Sequence, residues 1–403
     1  MKQKAVVIGG GAAGFFAAIT IAEKNPDIEV IILEKGKEVL QKVRVSGGGR
    51  CNVTHACFDP KELCEFYPRG KKELLGPFHQ FMTGDTMEWF ENRGVTLKIE
   101  ADNRVFPVSN SSQTIIDCLM NSAEKAGVQL MLSQHVKIIS RINNQYKITT
   151  SSDEFIANKL IIAAGSSPKF WELIAKLGHT IIPPVPSLFT FKINDVRIKE
   201  IPGVSVPNAT VSIAKSSFES SGPLLITHWG ISGPAVLKLS AFGARFLAEK
   251  KYQYNVHVNW LSKKVPTVLN KLKILKKENP KKLIILKSVF KDIPKRLWEN
   301  LVLASEIKKE QRWADLSNRQ LENLANQLTN TTFNANGKTT FKEEFVTAGG
   351  VDLKEINFKR FESKLHKNLF FAGEILNIDA VTGGFNFQNA WTGAYIAGKA
   401  MAE

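Results

Sequence analysis

The 403 residues predict an α/β fold: a parallel-sheet domain assembled from both ends of the chain and interrupted by an inserted domain. Three observations carry this. Residues 1 to 35 read strand, glycine-rich turn, helix, strand. The same small, β-branched vocabulary returns near the C-terminus, and the stretch between differs, with short alternating strands followed by lysine-rich helix. The balance of 43% apolar and 23% charged residues is that of globular domains and excludes wholesale disorder. Four cysteines without a C-x-x-C pair exclude a disulfide scaffold and structural zinc, and no metal site is expected. The thiols read as reduced and the protein as cytoplasmic.

In order, KAVVI is a strand, AAGFFAAITIAEK a helix and EVIILEK a strand, a βαβ unit of a buried parallel sheet. The uncharged run Ala5 to Ala22 is 18 residues, long enough to raise a membrane span, but glycines at 9, 10, 11 and 14 break it. No signal peptide is expected. SQTIIDCLMNSAEKAG predicts a helix closed by glycine, VQLMLSQHVKII a strand, and NQYKITTSS and EFIANKLIIAAG further strands. A Pro-rich break, 182 to 189, ends this regime. FTFKI, ATVSIAK, PLLITH and YNVHVNW then predict short strands, and 263 to 330 mostly helix. The expected division is 1–187 with 341–403 as one domain, and 188–340 as the insert, β-rich over 188–262 and helical and lysine-rich over 263–340.

Gly9-x-Gly11-x-x-Gly14 lies between strand and helix, where the three glycines allow in turn a tight bend, room for a pyrophosphate, and close helix packing. The helix N-terminus offers free N–H groups to the diphosphate. Glu34 ends the second strand, where a carboxylate accepts from both ribose hydroxyls. Strand, glycines, helix, strand and acid in register point to a bound ADP moiety. A P-loop is excluded, since the first glycine it needs falls on Thr332. LIIAAG (160–165) supplies a second dinucleotide contact, and LFFAGEIL (369–376) leading through TGGFNFQNAW into a last helix resembles the third motif of FAD proteins. FAD is the expected cofactor.

SGGGRCNVT (46–54), THWGISGPA (227–235), VTAGGV (346–351), FESKL (361–365) and FAGEILNIDAVTGGFNFQNAW (371–391) together resemble the BaiN/YhiN-like flavoproteins, also known as NAD(P)/FAD-dependent oxidoreductases or the aminoacetone oxidase family of FAD-binding enzymes. Phe361 departs from the Met of that pattern, conservatively. The resemblance spans the chain. It implies a Rossmann-like FAD-binding domain of the glutathione-reductase type, with an inserted β-barrel and helical domain over the flavin. Three glycines of SGGGRCNVT allow the chain to run flat with its N–H groups exposed. Arg50 then offers a charged fork and Asn52 an amide. The expected cofactor-binding residues are Gly9, Gly11, Ala12, Ala13 and Gly14, then Glu34, Lys35 and Lys42. Ser46, Gly48, Gly49, Arg50, Cys51 and Asn52 follow, with Val136, Ala164, Gly165, Gly373, Glu374, Gly384, Asn386 and Phe387.

Cys51 and Cys57 sit where disulfide reductases carry a redox pair, but as C-x5-C rather than C-x4-C, and no second glycine fingerprint exists for NADPH. Cys51 therefore reads as a packed thiol beside the cofactor. Cys51 and His228, the latter in THWGISGP, are the candidates for a catalytic role, with no acid/base dyad required for hydride transfer. No GxSxG or HExxH occurs, which excludes those hydrolases. Between Lys250 and Arg296 stand 14 Lys or Arg and two acids, so this segment carries +12 of the net +16. Leu269, Leu272, Ile274 and Leu275 interleave the lysines at helical spacing, which favours solvated helix faces over a nucleic-acid partner. The expectation is an FAD-dependent oxidoreductase that exchanges a hydride between flavin N5 and a small-molecule substrate, with NAD(P)H or O2 as electron partner and no membrane association. The alternative is a nucleic-acid-associated or regulatory flavoprotein acting through the basic insert.

Overall fold

The computed structural model describes residues 2–339 and 346–403. The chain forms two compact units, one of Met1–Val185 with Val346–Glu403 and the other beginning at Pro186. The junction expected at 340/341 lies outside the described residues.

In the first unit, β1 (Lys4–Ile8), α1 (Ala12–Lys24) and β2 (Glu29–Leu33) form the predicted βαβ unit. Ala5, Val6, Val7 and Ile8 are all buried, the unbroken apolar run of a strand covered on both faces. A seven-stranded sheet runs Ile356–Asn357, Glu362–Ser363, Leu369–Phe371, Lys159–Ile162, β1, β2, Gln129–Met131. Its last five strands are parallel and the first two antiparallel. Every residue of α1 from Ala13 to Ala22 is buried, so this is an interior helix. The last helix, Phe385–Ala402, packs on it: a Cβ at Gly398 would meet Thr20 Cβ at 2.8 Å and Ala17 O at 2.9 Å, an approach only glycine permits. The run expected as one strand at VQLMLSQHVKII is two, Gln129–Met131 in this sheet and Ile138–Ile142 in a separate antiparallel one. Ser133, at φ +58°, turns the chain between them. The Pro-rich break at 182 to 189 is largely a strand, Ile181–Ser187, since extended backbone accommodates proline's fixed φ.

The second unit is built on a closed six-stranded barrel in the order Thr190–Ile193, Gly230–Ser232, Glu219–Thr227, Ser205–Ile213, Gln253–Asn259, Thr331–Thr339. Thr331–Thr339 lies in the part expected to be helical. It is the closing strand: Thr331, Phe333 and Ala335 are buried alternately with exposed Thr332, Asn334 and Asn336, the period of two that a strand requires. Helices Val265–Glu278, Lys295–Leu303 and Asn318–Thr329 share one apolar core with the barrel through Val268, Leu272, Leu297, Trp298, Leu324 and Leu328. Ile274, counted on the apolar face from its spacing, is 47% exposed.

Candidate cofactor site

Sterics shape the first glycine turn. Gly9 has φ +111°, and a Cβ there would sit 2.5 Å from Ala163 O; at Gly14 a Cβ would overlap Gly9 O. Neither position admits another residue, and α1 is thereby seated on the turn. Gly11 differs, with nothing within 4 Å of its Cβ position, so space opens at the N-cap of α1. No side chain caps this helix and no acid occupies its first turn. The N–H groups of the Ala12–Ala13–Gly14 turn and their partial positive charge face that space.

β2 delivers Glu34 to the same turn. Its carboxylate accepts from Gly10 N (2.7 Å) and Gly36 N (2.8 Å), one on each oxygen. Each oxygen keeps a lone pair, enough to accept from two vicinal hydroxyls. Lys35 beside it is exposed, and Gln134 N donates to Glu34 O (2.8 Å), two residues before half-buried Val136. Strand Lys159–Ile162 ends at Ala163–Gly165, where Gly165 (φ +62°) also has an open Cβ position. Strand Leu369–Phe371 leads to Gly373 (φ +76°), whose Cβ position is 3.2 Å from Ala13 Cβ. The next residue, Glu374, is ion-paired with Lys42. Segments scattered from residue 9 to 374 thus meet at the C-terminal ends of the parallel strands, where open α/β sheets bind nucleotides.

The SGGGRCNVT segment behaves as its glycines suggest. Gly47, Gly48 and Gly49 take φ of +58°, +68° and +82°, and Cys51 follows at +59°. Gly48 and Gly49 are exposed with nothing near their Cβ positions, so bare backbone faces open space; Ser46, half-buried, bonds to Val43 O. Asn52 is 8% exposed, and its Oδ1 is buried without a hydrogen-bond partner among the described residues. A buried orphan acceptor calls for a donor from a ligand. Arg50 corrects the expectation of a free fork. Its guanidinium pairs with Glu100 (2.7 Å) and lies 3.9 Å from the Phe106 ring centroid, so it braces the segment. At the last helix, a Cβ on Gly384 (φ +93°) would sit 2.5 Å from Thr54 O, which brings that N-terminus beside Asn52–Thr54. The Asn386 amide is spent on Ala380, accepting from its N (3.0 Å) and donating to its O (3.2 Å), and Phe387 stacks on Trp391.

Cys51 is fully buried, and burial pushes its thiol up to about 12, so it is protonated at neutral pH. Burial raises the Cys57 thiol too, and all four cysteines are free. His228 lies in the second unit, exposed on the turn between Glu219–Thr227 and Gly230–Ser232. Sequence reasoning missed His55, which stacks on Phe385 (centroids 4.5 Å apart). Its buried Nδ1 is unpartnered among the described residues, and burial holds its pKa below the ordinary 6.5. It also missed Asn377 and Asn389, whose buried Oδ1 atoms are likewise unpartnered among the described residues. The one available signal was Asn389, a polar side chain on a small-residue apolar helix.

Open glycine cradles, an uncapped helix N-terminus, a carboxylate for vicinal hydroxyls and orphan acceptors fit a dinucleotide. Comparisons with known proteins agree. The HI0933-like protein Rossmann domain matches residues 3–400. The ribosomal RNA dihydrouridine synthase of Haemophilus influenzae is 29% identical, over 99% of this chain and 98% of the relative. The 3-dehydro-bile acid delta(4,6)-reductase of Clostridium scindens is 27% identical, over 98% of each. Among solved structures, a 3-ketosteroid-Δ4-(5α)-dehydrogenase from Rhodococcus jostii RHA1 superposes with a TM-score of 0.52 at 12% identity, covering 100% of this chain and 97% of that one, and shares the fold. The chain belongs to the HI0933-like family and is an FAD-dependent oxidoreductase with a Rossmann-like cofactor domain.

Proposed function

We propose that this protein reduces a carbon–carbon double bond conjugated to a carbonyl, and that the bond is C5=C6 of a uridine in ribosomal RNA. One observation carries the choice of substrate. Of the 14 Lys and Arg between 250 and 296, 13 are exposed, and among the described residues only Lys295 is ion-paired, with Glu299 at 3.7 Å. So dense a run of cations, 14 against two acids with a single ion pair among the described residues, favours a polyanion as partner, which the Haemophilus relative's named substrate supplies. Bound FAD would supply the two electrons as a hydride equivalent once a nicotinamide dinucleotide or another two-electron donor has reduced it, and a proton taken up at the other carbon completes the saturated bond. The protein's own part is to hold it: the turn at Gly9–Gly14 and the α1 N-terminus take the diphosphate, and Glu34 the ribose. The open backbone of Gly48 and Gly49 and the unpartnered Asn52 Oδ1 would receive the flavin ring, and Lys42 holds Glu374 in place.

A second reading, a free dienone as substrate, is favoured by the equally complete match to the bile-acid reductase. The two readings part in a cell. Ribosomal RNA from cells with the gene deleted should lack a dihydrouridine that returns when the gene is restored, as read by nucleoside mass spectrometry. Unchanged dihydrouridine content sinks the RNA reading.

A further inference from the structure

We infer that a cleft at one end of the second unit's barrel is the seat of an unpaired RNA nucleotide, its base stacked on Trp229 and its phosphates held by Lys192 and Lys199. This inference rests on the RNA reading above and gives it a place on the protein. The cleft, of about 230 Å³, is bounded by Lys192 and Asn194 at the end of strand Thr190–Ile193, by Ile198 and Lys199 of the following turn, and by the Thr227–Gly230 turn. Its floor is apolar, with Ile193 and Ile198 almost wholly buried.

Trp229 is 51% exposed, an unusual place for the largest apolar side chain. Its backbone is locked. Trp229 O accepts from Ile193 N (2.9 Å), Trp229 N donates to Thr227 Oγ1 (3.2 Å), and a Cβ on Gly230 (φ +146°) would overlap Phe191 O. The ring is therefore presented on a rigid support, which lowers the entropy lost when a base stacks on it.

Charge completes the match. Lys192 and Lys199 are exposed and make no ion pair among the described residues, and no carboxylate lines the cleft. Of the two acids in this stretch, Asp195 is neutralised by Arg197 at 2.7 Å, and Glu200, beside Lys199, does not line the cleft. Arg197 also donates to Gln327 Oε1 (3.0 Å) and Thr332 O (2.7 Å), which pins the turn that carries Lys199. An exposed aromatic face flanked by two free cations is the arrangement that recognises single-stranded nucleic acid, by stacking for the base and charge for the backbone.

The test uses the FAD-loaded protein and a labelled oligouridine RNA of about 12 nucleotides, with affinity read by fluorescence anisotropy over a salt series. Trp229→Ala should weaken binding about tenfold, and Trp229→Phe should recover most of that loss. Lys192→Ala and Lys199→Ala should each flatten the log–log salt dependence by about 0.7. These two exposed positions keep the test valid if Trp229→Ala misfolds, which its FAD content reveals. If every variant binds as the wild type does while ribosomal RNA is still reduced, the cleft is not the seat and the RNA reading stands. If the wild type neither binds nor reduces RNA, both fall.

Discussion

Glu34 uses one lone pair of each oxygen on backbone N–H groups and has the other free, so its removal should cost the ribose contact without unfolding the turn. Hydrogen bonds to a charged group contribute about 1.5–3 kcal/mol, so Glu34→Ala should weaken FAD retention roughly 10- to 100-fold. Dialysis followed by flavin fluorescence measures this, and full occupancy would remove Glu34 from the site. Cys51 invites the opposite expectation. A fully buried thiol pushed up to about 12 offers no thiolate at neutral pH. Cys51→Ser should leave the rate of flavin reduction within about tenfold, under about 1.4 kcal/mol of barrier. A thiolate-to-flavin charge-transfer band in the reduced wild type would contradict that.

The helix–loop–strand region around His179 carries a pH dependence. His179 is 3% exposed; its Nδ1–H donates to the Glu355 carboxylate (2.7 Å) and its Nε2 accepts from Ser363 Oγ (2.9 Å). Burial holds its pKa below 6.5, so the fold keeps it neutral where the unfolded chain would protonate it. The unfolded state then binds more protons, and stability falls as pH drops below about 6.5, by on the order of 1 kcal/mol per pH unit. Denaturant unfolding at about pH 7 and 5 should show a smaller difference in His179→Gln than in wild type; an unchanged difference places the effect elsewhere. At this scale β1, α1 and β2 were legible, because a glycine turn between apolar runs is a local signal. The barrel's closing strand was not, since the lysines upstream masked the alternation of Thr331, Phe333 and Ala335. Nor was the pairing of half-buried Arg69 with buried Asp379, or the network of Thr54, Thr86 and Thr392 around Gln388. Those partners mostly lie about 300 residues apart, and only tertiary packing joins them. At the site, the glycines and Glu34 were readable from spacing, whereas the roles of Arg50 and Asn386 depend on Glu100 and Ala380, which no motif names.

Across the whole molecule, no described helix is long and apolar enough to cross a membrane, and the charge is concentrated on one unit. If the exposed lysines of 250 to 296 contact phosphates, RNA affinity should fall steeply with salt. Lys273→Ala with Lys277→Ala, one turn apart on helix Val265–Glu278, should then lower the slope by about 0.7 for each phosphate no longer neutralised. An unchanged slope would return these residues to solvated helix faces. The central claim is that this oxidoreductase delivers its electrons to a uridine of ribosomal RNA. The direct measurement is to reduce the FAD-loaded protein without oxygen, add ribosomal RNA lacking dihydrouridine, and count both flavin reoxidised and dihydrouridine formed. The account predicts one dihydrouridine for each flavin reoxidised. A flavin that stays bleached with RNA and is reoxidised only by a free dienone would contradict it.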